Sequence, residues 1–170
     1  VVTIQAPEGG VGINNGGGDN NPPLPVDRVK DSFDLAMTTK SPLVLDLNGD
    51  GIATMGVKAG VYFDHDANGF AEQTGWVNAQ DGIVVRDLDS NGTIDSGREL
   101  FGSETLLTNG QNAANGYAAL AELDSNHDGQ IDQQDETFST LKIWKDINSD
   151  GNSSADELFT LANAGVQSIV

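Results

Sequence analysis

One spacing of acidic and amide side chains returns five times along this chain. The spacing is D-x-[D/N]-x-[D/N]-G, and the five copies, numbered loops one to five, begin at Asp46, Asp64, Asp87, Asp124 and Asp146. Oxygen atoms at positions 1, 3 and 5 of such a loop are ligands that the hard cation Ca²⁺ prefers. The glycine at position 6 lets the backbone turn sharply, so that the carbonyl of position 7 faces the ion. The pattern therefore predicts calcium-binding loops.

The acid that closes the coordination sphere differs between the loops. Loops four and five carry one at position 12, Asp135 and Glu157, whereas loop three has Glu99 at position 13. Loop two has Glu72 at position 9, and loop one has Val57 at position 12. We expect four to five bound Ca²⁺ ions. Together with the first aspartates, the predicted ligands are Asn48, Asp50, Asp66, Asn68, Glu72, Asp89, Asn91, Asp95, Glu99, Asn126, Asp128, Gln130, Asp135, Asn148, Asp150, Asn152 and Glu157.

The charge balance supports the metal interpretation. The 170 residues include 26 acidic side chains against 8 basic ones, for a formal net charge of -18. A nucleic-acid partner is excluded because phosphate contacts need clustered Lys and Arg, and binding to an anionic membrane surface is disfavoured for the same reason. Membrane insertion is not expected, because no apolar run is long enough to span a bilayer. An isolated copy of the motif is often only an Asx-rich turn. Five copies that concentrate the acids indicate cation sites.

The apolar core must be modest, because hydrophobic residues make up 37% of the chain and aromatic residues 6%. Without metal, the repulsion between neighbouring carboxylates should exceed what burial can offset. Since the sites exist only in the folded chain, the free energy of calcium binding becomes free energy of folding. We therefore expect a chain that folds at extracellular calcium concentrations.

The ends of the chain indicate a segment of a longer protein. There is no cysteine, which excludes a disulfide framework and a thiolate metal site. No apolar run approaches the ~18 residues that span a bilayer, no signal peptide is present, and the first residue is Val1. We expect residues 1–41 to form a Gly/Asn/Pro-rich linker and a short helix, and residues 42–170 to form the calcium-binding module.

Short strands and helices are predicted around the loops. The runs VYF before loop two and IVVR before loop three indicate strands. The runs YAALAEL, ETFSTLKIWK and ELFTLANAG flank loops four and five, and Phe138, Leu141 and Trp144 recur at helical spacing in the second run. We therefore predict an α+β module in which short strands with metal loops precede an EF-hand-like helical pair. Trp76 and Trp144 should anchor its core.

A longer series of motifs resembles one family. The runs PLVLDLNGDGI, FDHDANG, TGWV, DGIVVRDLDSNGTID, GRELFG, GYAALAELDSNHDG and LKIWKDINSDG occur in that order between residue 42 and about residue 168. They are similar to the calcium-dependent self-processing module of FrpC-type RTX proteins, which Gram-negative bacteria export by type I secretion. The resemblance implies a secreted, extracellular module of an RTX-type toxin or adhesin, with neighbouring domains of a larger protein as its partners.

The resemblance also implies a reaction. In that family, calcium-driven folding cleaves an Asp-Pro bond at the N-terminal edge of the module, through an anhydride that water or a lysine amine then opens. Here the bond in that position is Ser41–Pro42, and none of the five prolines follows an aspartate. Because serine cannot form the anhydride, we expect this catalytic position to be silent. Asp124, Asp135 and Asp146 match acids that, by resemblance, hold calcium and position the scissile bond.

Three functions remain to be compared. The leading one is a calcium-folded module that has lost cleavage at Ser41. The second is an active autoprocessing element whose natural aspartate has been replaced. The third is a calcium-dependent adhesin or dockerin-like module that binds an unidentified protein, which the spacing of loops four and five would allow. His65 and His127 occupy non-ligand positions of their loops, and we expect both to be exposed.

Overall fold

A computed structural model describes residues 42–170 of the protein. The linker and short helix predicted for residues 1–41, including Ser41, lie outside the described residues. The elements are short because the chain returns to a loop after almost every strand. The strands are β1 (Val44–Leu45), β2 (Thr54–Met55), β3 (Val61–Phe63), β4 (Glu72–Thr74), β5 (Trp76–Val77), β6 (Gly82–Val85), β7 (Lys142–Trp144) and β8 (Leu158–Thr160).

The strands form one larger sheet and two hairpin-like pairs. The larger sheet is antiparallel, with strand order β1-β6-β7-β8, and the pairs are β2 with β5 and β3 with β4. In the described part of the chain, the helical elements are one α-helix and three short 3₁₀ turns. They are the α-helix Gly116–Ala121 and the 3₁₀ turns Val57–Ala59, Gly97–Glu99 and Phe138–Thr140.

The central strands of the four-stranded sheet, β6 and β7, bury side chains on both faces. Alternate side chains of a strand point to opposite sides, so each strand contributes to two cores. In β6, Val84 faces one core whereas Ile83 and Val85 face the other, and in β7 Ile143 and Trp144 divide in the same way. The helix-side core consists of Leu43, Leu45, Val84, Phe101, Ala113, Ala119, Leu120, Ile131, Phe138, Leu141, Ile143, Leu161, Val166 and Ile169. The tryptophan-side core consists of Val44, Val61, Phe63, Trp76, Val77, Ile83, Val85, Ile94, Leu100 and Trp144.

Three aromatic rings organise the tryptophan-side core. The ring centroids of Trp76 and Trp144 lie 5.3 Å apart at an interplanar angle of 70°. Phe63 lies 5.4 Å from the first ring and 5.7 Å from the second. Edge-to-face and tilted contacts at such distances are favourable for aromatic pairs. The prediction that both tryptophans anchor the core is confirmed.

The predicted α+β class with an EF-hand-like helical pair is wrong. The described residues are mostly strands and turns, with one short helix at the YAALAEL run. The run ETFSTLKIWK forms the turn Phe138–Thr140 and then β7, which is held between β6 and β8. The run ELFTLANAG begins as β8 and continues as a turn rather than as an outgoing helix.

The physical reason for this error is tertiary pairing. Ile143 is fully buried between two neighbouring strands, opposite Val84 on one side and Phe159 on the other. Phe138, Leu141 and Trp144 span seven positions, and over so short a run three apolar residues fit a helix and a buried strand equally well. The ladder bonds on both edges of β7 decide in favour of the strand.

We expect Gly97→Ala to destabilise the fold, because a Cβ at this buried glycine would overlap the backbone carbonyl of His65. Gly97 also donates its N–H to the Asp64 carbonyl at 2.8 Å, so the two segments have little freedom to separate. Overpacking of this kind typically costs about 1–3 kcal/mol. The measurement is urea unfolding in the presence of calcium.

Gly56→Ala is the matched control for this substitution. A Cβ there meets nothing within 4 Å, and the backbone φ is -70°, which alanine adopts freely. Its free energy of unfolding should stay within about 0.5 kcal/mol of the unmodified chain, as surface substitutions usually do. Equal losses in the two variants would show that the close approach at Gly97 is not tight.

Candidate metal centres

The five loops share one hydrogen bond that closes the turn. In each loop a carboxylate oxygen of the position-1 aspartate accepts the N–H of the position-6 glycine. The distances are 2.9 Å for Asp46 and Gly51, 2.7 Å for Asp64 and Gly69, 3.0 Å for Asp87 and Gly92, 2.8 Å for Asp124 and Gly129, and 2.8 Å for Asp146 and Gly151. These glycines all have φ between 75° and 100°, which a side chain would oppose.

A second backbone feature is common to all five loops and was missed at the sequence level. The position-4 residue has a positive φ: 81° at Gly49 and between 56° and 61° in the other four loops, at Ala67, Ser90, His127 and Ser149. In the described part of the chain, these four are the residues other than glycine that adopt a positive φ. Each costs about 1–3 kcal/mol. Isolated Asx turns would not repeat that cost at one position in every copy.

In loops three to five the closing acid is buried, whereas the side chains at positions 3 and 5 are exposed in all five loops. The closing acids Glu99, Asp135 and Glu157 have relative exposures of 5%, 5% and 3%. The side chains at positions 3 and 5 are exposed in every loop. They are Asn48, Asp50, Asp66, Asn68, Asp89, Asn91, Asn126, Asp128, Asn148 and Asp150. An ion within such a loop would therefore have protein on one side and flexible oxygen ligands on the other.

The closing acids of loops four and five bind the same two backbone positions. Asp135 accepts the N–H of Ser125 at 2.8 Å and that of Asp132 at 2.9 Å, at positions 2 and 9 of loop four. Glu157 accepts the equivalent N–H groups of Ile147 and Ser154 at 3.0 and 3.1 Å. These donors, led by the Asp132 N–H, lower the pKa of Asp135 below its usual value and favour its charged form.

Loop three reaches the same arrangement although its acid stands one residue later. Glu99 accepts the N–H of Leu88 at 3.1 Å and that of Asp95 at 2.9 Å, again at positions 2 and 9. The 3₁₀ turn Gly97–Glu99 absorbs the additional residue and directs the side chain back to the loop. The one-place delay in the sequence therefore does not displace the carboxylate.

Loop three also has the chemistry that a cation needs. Oxygen atoms of Asp87, Asp89 and Glu99 all lie within 4.8 Å of one another. The Oδ1 atom of Asp87 is buried and has no hydrogen-bond partner. Burial raises the pKa of Glu99, and the charges of Asp95 and Asp89 add to the rise. Repelling carboxylates with an unsatisfied buried oxygen fit a hard divalent ion.

Loop two gathers its acids by a different route. Oxygen atoms of Asp64, Asp66 and Glu72 lie within 4.8 Å of one another. Glu72 begins β4 and stands opposite Phe63 at the end of β3, so the strand pair brings this acid to the loop. The Asn68 amide donates to the Glu72 carboxylate at 3.3 Å. An acid at position 9 thus joins the first two acids of loop two, which has no acid at position 12.

The two loops with the best sequence match are not the ones whose carboxylates converge most closely. Among the described residues, three carboxylates come within 4.8 Å of one another in loops two and three. In loops four and five the position-3 amides pair with the position-5 acids instead, Asn126 with Asp128 at 3.0 Å and Asn148 with Asp150 at 2.9 Å. Gln130 and Asn152, at position 7, are exposed.

Loops three and five form a pair at position 8. The Ser153 hydroxyl of loop five accepts the N–H of Ile94 at 2.6 Å and donates to the Ile94 carbonyl at 3.3 Å. Loop four pairs elsewhere: Ile131 exchanges two backbone bonds with Ile169, at 2.9 and 3.1 Å. At position 8, loop five therefore contacts loop three rather than loop four. Position 8 of such a loop is usually apolar. In loop five it is Ser153, whose hydroxyl bonds the backbone N–H and carbonyl of Ile94.

Loop five is tied to the tryptophan-side core by a buried hydrogen bond. The indole N–H of Trp76 donates to the Asp146 carboxylate at 2.7 Å, 70 residues away in the sequence. Asp146 is 1% exposed, so its position depends on this donor and on the Gly151 N–H. The indole N–H of Trp144, by contrast, is buried without a partner. Trp76 thus connects the core to loop five through a hydrogen bond, whereas Trp144 contributes by packing alone.

The residue after the expected scissile bond lies against loop two. Pro42 lines a small pocket together with His65 and Gly97. The His65 ring packs edge-on against Phe63, with centroids 5.1 Å apart, so its expected exposure is wrong. His127 is exposed, as expected, and its Nδ1 lies 2.7 Å from the Asp124 carbonyl.

No described helix is long and apolar enough to cross a membrane.

The region that carries the repeated loops matches a known family. The family model of the SPM domain matches residues 43–170, which is most of the chain. The chain belongs to the SPM domain family. A curated relative, the iron-regulated protein FrpA of Neisseria meningitidis serogroup C, is 55% identical over 130 residues. The aligned region covers 75% of this chain and 12% of that relative, so the SPM domain chain spans a small part of the relative's length.

We expect Trp76→Phe to destabilise this SPM domain more than Trp144→Phe. Both changes replace a buried indole by a phenyl ring, but only the first removes a donor to a buried carboxylate. A hydrogen bond to a charged group is worth roughly 1.5–3 kcal/mol. The difference between the two variants in the free energy of urea unfolding, measured with calcium present, should have about that size. A larger loss for Trp144→Phe would show that the link to Asp146 is weak.

Proposed function

We propose that this SPM domain binds Ca²⁺ through its five loops and folds as it does so. The observation that carries the proposal is loop three, where the buried Oδ1 atom of Asp87 has no partner and two further carboxylates lie within 4.8 Å. Calcium takes six to eight oxygen ligands and tolerates irregular geometry, which suits carboxylate, amide and carbonyl oxygens from one short loop. The repeated position-4 and position-6 backbone supports the same role for the other loops.

The energetics favour coupled binding and folding. Four or five Ca²⁺ ions would offset about half of the formal net charge of -18. The loops connect strands of only two to four residues, so the sheet and the ordered loops would form together. Because a preformed site does not exist in the unfolded chain, binding free energy is also folding free energy.

We further propose that the domain is one module of a larger, secreted RTX-type bacterial protein. The support is the family membership and the small share of the FrpA relative that the chain spans. Calcium is scarce in the cytosol and abundant outside the cell, so a calcium-folded module would stay unfolded until type I export. The neighbouring domains of the parent protein would then be its first partners.

The Ser41–Pro42 bond is proposed to be a silent version of the Asp-Pro cleavage site. Anhydride formation needs a carboxylate that closes a five-membered ring on its own carbonyl carbon and expels the proline nitrogen as an amine. A serine side chain has no such carboxylate. The position of Pro42 supports this proposal, because it directly precedes the matched region and lines a pocket with His65 and Gly97.

Calcium titration tests the main proposal. In chelator, the far-ultraviolet circular dichroism should indicate a largely unfolded chain, and millimolar calcium should restore the β-rich spectrum. Calorimetry should count four to five ions. Magnesium at the same concentration is the control, because it demands octahedral geometry and keeps its waters. A spectrum that is the same in chelator and in calcium would rule out coupled folding.

Ser41→Asp tests the second proposal. Calcium should release a new fragment with Pro42 at its N-terminus, which mass spectrometry would identify, whereas the unmodified chain should stay intact. Ser41→Asn is the matched control, since it has the same shape as aspartate but no carboxylate nucleophile. An Asp variant that folds with calcium yet remains uncleaved would show that the module has lost more than its nucleophile.

A further inference from the structure

Asp81 is a buried acid that no loop motif includes. It lies in the turn between β5 and β6, and 1% of its surface is exposed. Its Oδ2 atom accepts the Ala53 N–H at 2.9 Å, but its Oδ1 atom is buried and has no hydrogen-bond partner. Leaving a carboxylate oxygen dehydrated and unpaired is costly, so a native structure is expected to hold a compensating group there.

The strand register sets Asp81 beside loop one. In the antiparallel pair of β1 and β6, Leu45 stands opposite Gly82. Continued by one residue, this register would set Asp46, at position 1 of loop one, opposite Asp81. Residues that face each other in this way have Cβ atoms about 4.5–5.5 Å apart.

A second strand pair holds the far end of loop one against the same turn. In the pair of β2 and β5, Thr54 stands opposite Val77, and the Asn78 N–H donates to the Ala53 carbonyl at 3.0 Å. The Asp81 N–H in turn donates to the Asn78 carbonyl at 3.0 Å. Since Ala53 is position 8 of loop one, the bond from its N–H to Oδ2 holds the Asp81 carboxylate against the end of that loop.

Asp81 resembles the closing acids of the other loops in its contacts. Glu99, Asp135 and Glu157 are buried, and each accepts a backbone N–H from position 9 of its loop. Asp81 is equally buried and accepts the N–H of position 8 of loop one. Loop one has no closing acid of its own, because position 12 is Val57, whose side chain is 52% exposed.

We propose that Asp81 is the closing ligand of a Ca²⁺ site in loop one. The site would combine the side-chain oxygens of Asp46, Asn48 and Asp50 with the Ile52 carbonyl and the Oδ1 atom of Asp81. The ligand comes from the turn after β5, so this site can form only when both strand pairs are in place. The inference rests on the proposed calcium function and names a ligand that the loop pattern does not contain.

A purely structural role makes a different prediction. If Asp81 served only to accept the Ala53 N–H, the amide oxygen of asparagine would do the same, and Asp81→Asn would leave calcium binding unchanged. If Asp81 binds the ion, the same variant keeps the shape and that hydrogen bond but loses the charge on Oδ1. Asp81→Asn therefore separates the two roles.

The test is calorimetric calcium titration of the chelator-treated chain and its variants. Asp81→Asn should lose one ion, or weaken one site by about tenfold or more, as changes around a metal typically do. Asp46→Asn should remove the same ion, and the double variant should lose no second one. Glu104→Gln is the control: it removes an equal charge outside the loops and can keep the contact with the Asn112 amide.

The outcomes separate this proposal from the proposed function. Unchanged binding by Asp81→Asn, with normal binding by the unmodified chain, overturns the role of Asp81 and leaves the calcium function standing. Loss of two ions in the double variant overturns it too, because the residues would then serve different sites. An unmodified chain that binds no calcium overturns both proposals.

A second measurement covers the case in which Asp81→Asn does not fold in calcium. Crystals of the unmodified chain grown with calcium would show the ligands of loop one directly. An Asp81 oxygen at about 2.3–2.6 Å from an ion in loop one supports the proposal. An ion in loop one without an Asp81 ligand, or loop one empty beside filled loops, overturns it.

Discussion

A carboxylate that leaves bulk water needs N–H donors or a cation beside it, and the arrangement of this chain follows from that need. In all five loops, the first aspartate turns inward and accepts the N–H of the glycine five residues later. That bond is accompanied by positive φ values at positions 4 and 6 in every loop, and in loops two and three the carboxylates converge within 4.8 Å. The converged carboxylates of loops two and three repel one another, and under the proposed function a bound cation would offset that repulsion, so that loop closure and cation binding would be one process.

The sheet and the loops depend on each other. Four of the five first aspartates follow a strand within two residues, after β1, β3, β6 and β7, and three of these strands belong to the four-stranded sheet. A strand that ends in a loop has its direction set by that loop, whereas the loop has its entry point set by the strand. Trp76 extends this dependence, since a residue of the two-stranded pair β2–β5 donates to the first aspartate of loop five.

Much of the candidate site could be predicted from the sequence because ligand type and spacing are local properties. The five starts, the inward turn at the glycines and the strands before loops two and three follow from short runs of residues. The helical pair was wrong because Phe138, Leu141 and Trp144 fit two periods, and only the long-range pairing of β7 with β6 and β8 distinguishes them. Asp81 and the contact of Ser153 with Ile94 were missed for the same reason, since each joins segments at least 28 residues apart.

The Ser153 hydroxyl gives loops three and five a shared boundary. It meets both the N–H and the carbonyl of Ile94, so neither loop can reorganise around an ion without moving the other. Under the proposed function, the first ion to bind would order this contact, and the second would find its loop already constrained at lower entropic cost. Occupancy of the two centres would then rise together over a narrow concentration range, and the domain would respond to calcium as a threshold rather than in proportion to it.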